Sequence, residues 1–189
     1  MEGLSIRHTV KPGDLGRIVQ LHGLLYAAEY GLDHTFEPYV AGPLADFVLR
    51  GDPRERIWIV EWQKAVAGSV AIVAAAPTRA QLRWLLLAPP IRGRGLGRRL
   101  VGEALAFARR CGYPEVFLWT LGHLAVAIHL YQASGFRLAE TKPHRLWGQD
   151  LVEEKHVLRF AADSPPGIRG LRKSPQDPMM APTRGCSPS

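Results

Sequence analysis

One stretch, Gln81 to Arg110, constrains the fold more than any other: QLRWLLLAPPIRGRGLGRRLVGEALAFARR. It begins as a buried apolar strand, passes through a tight arginine- and glycine-rich turn, and continues as an amphipathic helix. Pro89-Pro90 ends the strand, because neither residue can donate to a sheet ladder. After the turn, Leu96, Leu100, Val101, Ala104, Leu105 and Ala108 fall on one helical face, with Arg98, Arg99, Glu103, Arg109 and Arg110 mostly opposite. The turn, Arg92-Gly93-Arg94-Gly95-Leu96-Gly97, has the form R-x-x-G-x-G at the junction of strand and helix. A helix start offers unpaired N–H groups and roughly half a positive charge, which suits a phosphate. Glycines allow close backbone approach and arginines add charge-assisted hydrogen bonds.

Order along the chain narrows the choice of phosphate site. Before this stretch come a strand from Leu4 to Val10, helices over Leu15 to Tyr30 and Pro38 to Leu49, and strands over Arg56 to Trp62 and Ala65 to Ala75. Gln63-Lys64 makes a hairpin between the last two, and the strand leading into the turn covers Leu82 to Leu87. After the helix come a strand over Glu115 to Thr120, a helix over Leu124 to Ser134 stopped by Gly135, and strands over Phe136 to Thr141 and Leu151 to Phe160. The sum is an α+β or mixed α/β layer fold. A dinucleotide fingerprint belongs to a first strand and needs an acidic residue ending a strand about 20 residues on. Here the turn follows four strands, and Glu115 begins its strand. A P-loop is excluded, since no Gly-Lys-Ser or Gly-Lys-Thr is present.

Charge points to a small anionic ligand. The chain of 189 residues carries a net +7. The tail from Asp163 onward has four basic and two acidic residues, which leaves +5 for residues 1–162. Residues 91–110 alone hold six arginines and one glutamate, so the rest of the folded part balances to zero. A basic cluster confined to one turn argues against a broad nucleic-acid face. Nothing approaches a membrane span, and residues 1–10 lack the apolar core of a signal peptide, so the cytoplasm is the expected location. Cys111 and Cys186 form no pattern with the histidines and are expected to be free thiols. One domain is expected over 1–162, followed by a disordered Pro/Gly/Ser-rich tail over 163–189.

Two segments give the chain a family resemblance. Leu85-Leu86-Leu87-Ala88-Pro89 followed by Arg92-x-x-Gly95-x-Gly97 resembles the acyl-CoA-binding motif of the GNAT N-acetyltransferase superfamily. Downstream, Ala127 to Phe136 (AIHLYQASGF) is similar to that family's A-x-x-x-Y…G-F segment. Within the superfamily the chain resembles most closely the acetyltransferase domain fused to MarR-type regulators. Glu29-Tyr30-Gly31, Thr35-Phe36-Glu37, Arg54 to Ile59, Ala80 to Arg83, Leu118-Trp119-Thr120 and Lys142-Pro143-His144 carry that likeness. The resemblance implies a central mixed, mostly antiparallel sheet with helices on both faces, splayed beside the motif strand.

The same resemblance implies roles for residues. Main-chain groups of Leu85, Leu86 and Leu87 would pair with the pantetheine arm of acetyl-CoA. Backbone N–H groups over Arg92, Gly93, Arg94, Gly95, Leu96, Gly97 and Arg98 would hold the pyrophosphate, with arginine side chains near the 3′-phosphate. Tyr131 matches the tyrosine that protonates the departing thiolate. The plainer readings are a helix cap under a solvated arginine face and a core aromatic. The implied activity is transfer of an acetyl group to a primary amine by direct attack, or else acyl-CoA sensing on behalf of a partner. The sequence assigns no general base: Gln81, Arg83 and Trp84 stand where many relatives place a glutamate, and Glu29, Asp33, His34 and His123 are alternatives. No metal is expected, since His123 and His129 do not share a helical face. The acceptor and the oligomeric state, a homodimer among the options, stay open.

Overall fold

A computed structural model describes residues 3–161; the tail expected to be disordered, over 163–189, lies outside the described residues. In chain order the elements are β1 (Leu4–Arg7), α1 (Asp14–Tyr30), α2 (Phe36–Arg50), β2 (Arg56–Trp62), β3 (Ala65–Ala76), β4 (Arg79–Leu87), α3 (Leu96–Arg110), β5 (Glu115–Leu121), α4 (Ala125–Ala133), β6 (Arg137–Leu146) and β7 (Gln149–Arg159). Gln63 and Lys64 both take positive φ, 51° and 64°, the twist a two-residue hairpin needs between β2 and β3. β6 runs five residues past the expected end at Thr141 and takes Pro143 within it. The sheet order explains this: β6 is an edge strand, where a missing N–H breaks no ladder that has a second neighbour.

The seven strands form one sheet in the order β1-β2-β3-β4-β5-β7-β6, antiparallel throughout except between β4 and β5. Alternation sorts side chains between two cores. On β2, Trp58 and Val60 join α3 residues Leu100, Val101, Ala104 and Phe107 on one face. Ile57 and Ile59 join Ile18 and Leu21 of α1 and Val40, Leu44 and Phe47 of α2 on the other. With helices on both sides, β3 is buried without interruption from Val66 to Val73, which is why its sequence is an apolar run with no polar alternation.

β4 departs from regular alternation at one place. Arg83 pairs with Ala71 and Leu86 with Ser69, so Trp84 and Leu85 together face the single residue Val70. The extra residue is a β-bulge, and Trp84 sits at φ 53°, rare for a bulky side chain. A one-residue insertion exchanges the faces of everything beyond it. Ala80 and Leu82 therefore pack in the α3 core, whereas Trp84 and Leu86 pack against α1 and α2. The buried Ser69 hydroxyl donates to the Trp84 carbonyl at 2.7 Å and holds the kink.

Candidate active site

The bulge opens a cleft. β4 pairs with β5 only over Arg79–Gln81 opposite Glu115–Phe117, while β5 stays paired with β7 along its whole length. From Leu82 onward the β4 edge facing β5 has no strand partner among the described residues. The V between the strands is part of a cleft of about 430 Å³, within the size range of small-molecule sites. Leu85, Leu86 and Leu87 line it from β4, Trp119, Thr120 and Leu121 from β5, and Leu124, Ala127, Leu130 and Tyr131 from α4 and its approach. Unpaired backbone groups along one wall suit a ligand that itself carries amides.

At one end the cleft meets the start of α3. Gly95 is the N-cap residue at φ 76°, a conformation that favours glycine, and the N–H groups of Leu96, Gly97 and Arg98 have no partner within their own helix. Gly97 is small for a reason: an added Cβ would stand 3.3 Å from Leu130 Cδ2, so a side chain there would push against α4. Arg92, Gly93 and Gly97 line the cleft, Arg94, Gly95 and Arg98 are exposed beside it, and the Leu96 side chain belongs to the core. Arg92 is already engaged. Its N–H donates to Pro89 O at 3.2 Å, its Nε to Leu87 O at 2.7 Å, and its guanidinium holds Glu29 through contacts of 2.8 and 3.0 Å. Arg94 and Arg98 meet no carboxylate among the described residues, which leaves a net positive rim at the helix start.

Tyr131 lies on α4, 7% exposed, its ring edge-on to Phe136 with centroids 6.0 Å apart. Burial pushes its hydroxyl well above the ordinary tyrosine value, so it keeps its proton at neutral pH. A strand edge, a helix start rich in free N–H groups and a protonated phenol thus share one cleft. A family model for the acetyltransferase (GNAT) family matches residues 21–136, spanning the β4–α3 stretch and Tyr131. The chain belongs to the GNAT acetyltransferase family. It is 32% identical over 115 residues to the uncharacterized N-acetyltransferase YjgM of Escherichia coli, covering 58% of this chain and 69% of that protein. It is also 32% identical over 118 residues to human N-acetyltransferase 8B, covering 60% of this chain and 51% of that one. Among solved structures, a putative acetyltransferase of Salmonella typhimurium with its cofactor acetyl-CoA superposes with a TM-score of 0.69 at 18% identity, over 88% of this chain and 99% of that one. That last likeness concerns the fold alone.

The remaining cleft of this acetyltransferase is aromatic. Tyr26, Phe36, Tyr39 and Trp147 interlock, with centroids 4.5 Å apart for Tyr26 and Phe36 and 4.9 Å for both Phe36–Trp147 and Tyr39–Trp147. Trp147 reaches this wall because it tips the β6–β7 hairpin, whose carbonyl accepts the Asp33 N–H at 3.0 Å. Of the four candidate bases, Glu29 lines the cleft, while Asp33, His34 and His123 do not. Glu153 of β7 also lines it, with Oε2 3.1 Å from His144 Nε2 but poorly aligned for a hydrogen bond. His22 lines it as well; burial lowers its pKa to about 4, which makes it a weak base. Sequence reasoning missed Glu153 because a glutamate on an edge hairpin resembles any solvated charge. The alternation of β7 around Leu151 was its only signal.

Proposed function

We propose that the protein transfers the acetyl group of acetyl-CoA to a primary amine by direct attack in a ternary complex. The splay of β4 from β5 beyond Gln81, ending at the α3 start, is the observation that supports this most. In this reading the free edge of Leu85, Leu86 and Leu87 pairs with the pantetheine amides. The N–H groups from Gly93 to Arg98 hold the pyrophosphate, with Arg94 and Arg98 near the 3′-phosphate. The acceptor enters from the side walled by Tyr26, Phe36, Tyr39 and Trp147.

The amine nitrogen attacks the thioester carbonyl carbon, whose oxygen is polarised by a strand N–H. The C–S bond then breaks, and Tyr131 gives its proton to the leaving sulfur. A phenol near pKa 10 or above serves a thiolate of ordinary basicity by donating as the charge develops. A lysine-like amine must also lose a proton, at a cost of roughly 4–5 kcal/mol at pH 7. Glu29 and Glu153 are the carboxylates that line the cleft, and both have cationic or ring-nitrogen partners.

That pairing supports a second reading, in keeping with the resemblance to regulator-fused domains: a catalytically weak acyl-CoA sensor acting on a partner. Calorimetry with acetyl-CoA and thiol release across an amine panel separate the two. Tyr131→Phe should keep acetyl-CoA affinity within twofold and lower kcat by about 10²-fold. Unchanged turnover would remove the acid role. Tight acetyl-CoA binding with no release from any amine would favour the sensor.

A further inference from the structure

Two arginines line the cleft, and they differ in one respect. Arg92 is neutralised by Glu29. Arg83 meets no carboxylate among the described residues: its partners are the Gln81 side-chain oxygen at 3.4 Å and the faces of Trp84 at 5.2 Å and Tyr39 at 5.9 Å. Burial lowers its pKa from the usual guanidinium value; Tyr39 opposes the shift and the neighbouring Arg50 adds to it. A guanidinium held against aromatic walls and left without an anion is an unfinished ion pair. A second unmet donor lies in the same wall. The Trp84 Nε1–H is buried and has no acceptor among the described residues.

The bulge is what sets these groups side by side. Neighbours on a regular strand point to opposite faces. Arg83, opposite Ala71, lies on the α1/α2 face, and the extra residue brings Trp84 to that same face. Both donors therefore border the acceptor side of the cleft, beside Tyr39 of α2. The donor's phosphates have the α3 start at the other end, so Arg83 is not needed for them.

We infer that Arg83 binds a carboxylate on the acceptor, so that the acceptor is a small amine that also carries a carboxylate, an α-amino acid with an apolar side chain. The inference rests on the acetyl-transfer reading. The carboxylate takes no part in the bond changes; it fixes the molecule so that its amine faces the thioester carbon. The apolar side chain occupies the wall of Tyr26, Phe36, Tyr39 and Trp147.

The test separates binding from turnover. By calorimetry on the full chain, 3-phenylpropanoate, which has no amine, should bind the wild type about 10- to 100-fold more tightly than 3-phenylpropanamide, the ratio a charge-assisted pair gives. Arg83→Met should abolish that preference and leave acetyl-CoA affinity intact, and Arg83→Lys should restore part of it. Thiol release should then favour phenylalanine over phenylalaninamide by a similar ratio in kcat/KM, again lost in Arg83→Met. Equal binding of acid and amide by the wild type, or a preference that survives Arg83→Met, overturns the inference. An acid preference in binding with no thiol release from any amine keeps the carboxylate site and refutes the acetyl-transfer reading instead.

Discussion

Lowering the pH from 7 to 4 should cost the protein about 3 kcal/mol of stability through one residue, His22. Its ring is 3% exposed on α1, and Nδ1 lies 2.8 Å from the Ile18 carbonyl. A carbonyl only accepts, so Nδ1 carries the proton and the neutral ring is satisfied. A charge there meets no acid among the described residues, and burial lowers the pKa from 6.5 to about 4. The folded value lies below the unfolded one, so the unfolded chain takes up the proton first. Stability is full above pH 6.5 and falls as the pH drops towards 4, at about 1.4 kcal/mol per unit and about 3 kcal/mol in all. The window is separate from that of Asp14. Burial alone would raise the Asp14 carboxyl, but Arg7 at 2.6 Å and the Lys11 N–H hold it below its ordinary 3.8. Its contribution is thus lost only in stronger acid. Urea unfolding followed by tryptophan fluorescence at pH 7, 6, 5 and 4.5 measures the slope. His22→Gln keeps a donor without the titration, so the difference between variant and wild type should shrink by about one proton's worth per pH unit. Parallel profiles for the two proteins would refute the argument.

Other substitutions probe the bulge and the donor site. Ser69→Ala leaves the buried Trp84 carbonyl without its 2.7 Å donor and should cost about 1–3 kcal/mol, with acetyl-CoA affinity falling alongside as β4 relaxes towards β5. At Gly68 an added Cβ would lie 2.6 Å from Leu86 O and 2.7 Å from Leu87 Cδ2, so Gly68→Ala should lower Tm by several degrees. At Gly102, exposed on α3 with nothing within 4 Å, Gly102→Ala should gain about 0.5–1 kcal/mol. Opposite signs in thermal melts are the expected outcome. Glu29→Gln frees Arg92 from a partly exposed pair worth about 1 kcal/mol or less, so acetyl-CoA should bind up to about fivefold tighter at low salt and equally at high salt; weaker binding would show that the pair positions Arg92 for the ligand.

Much of the fold was legible because its signals are local. The alternating apolar stripe from Leu96 to Ala108, the proline stop at Pro89-Pro90 and the hairpin at Gln63-Lys64 each act over a few residues, and each element stands where those signals put it. The start of the helix at Pro38 was less legible: α2 begins at Phe36 with Pro38 in its first turn, where a missing N–H breaks no helical bond. Cys111 is half-buried at the C-cap of α3, packed against the core on that side of the sheet. In the site, Leu85, Leu86, Leu87, Arg92, Gly93, Gly97 and Tyr131 do meet in one cleft. The engagement of Arg92 by Glu29, 63 positions away, had no local trace.

By itself the sequence determined the layers, the helix start with its unpaired N–H groups, and the family to which the motifs belong, since these depend on periodicity and turn chemistry within about 30 residues. Only the tertiary structure decided what the cleft presents to an acceptor. A regular strand over Leu82 to Leu87 would send Arg83 and Trp84 to opposite faces. The pairing with β3 inserts one residue, turns Trp84 over, parts β4 from β5, and leaves Arg83 beside aromatic rings with no acid to meet among the described residues. A bulge is a property of two strands in register, so no single segment encodes it.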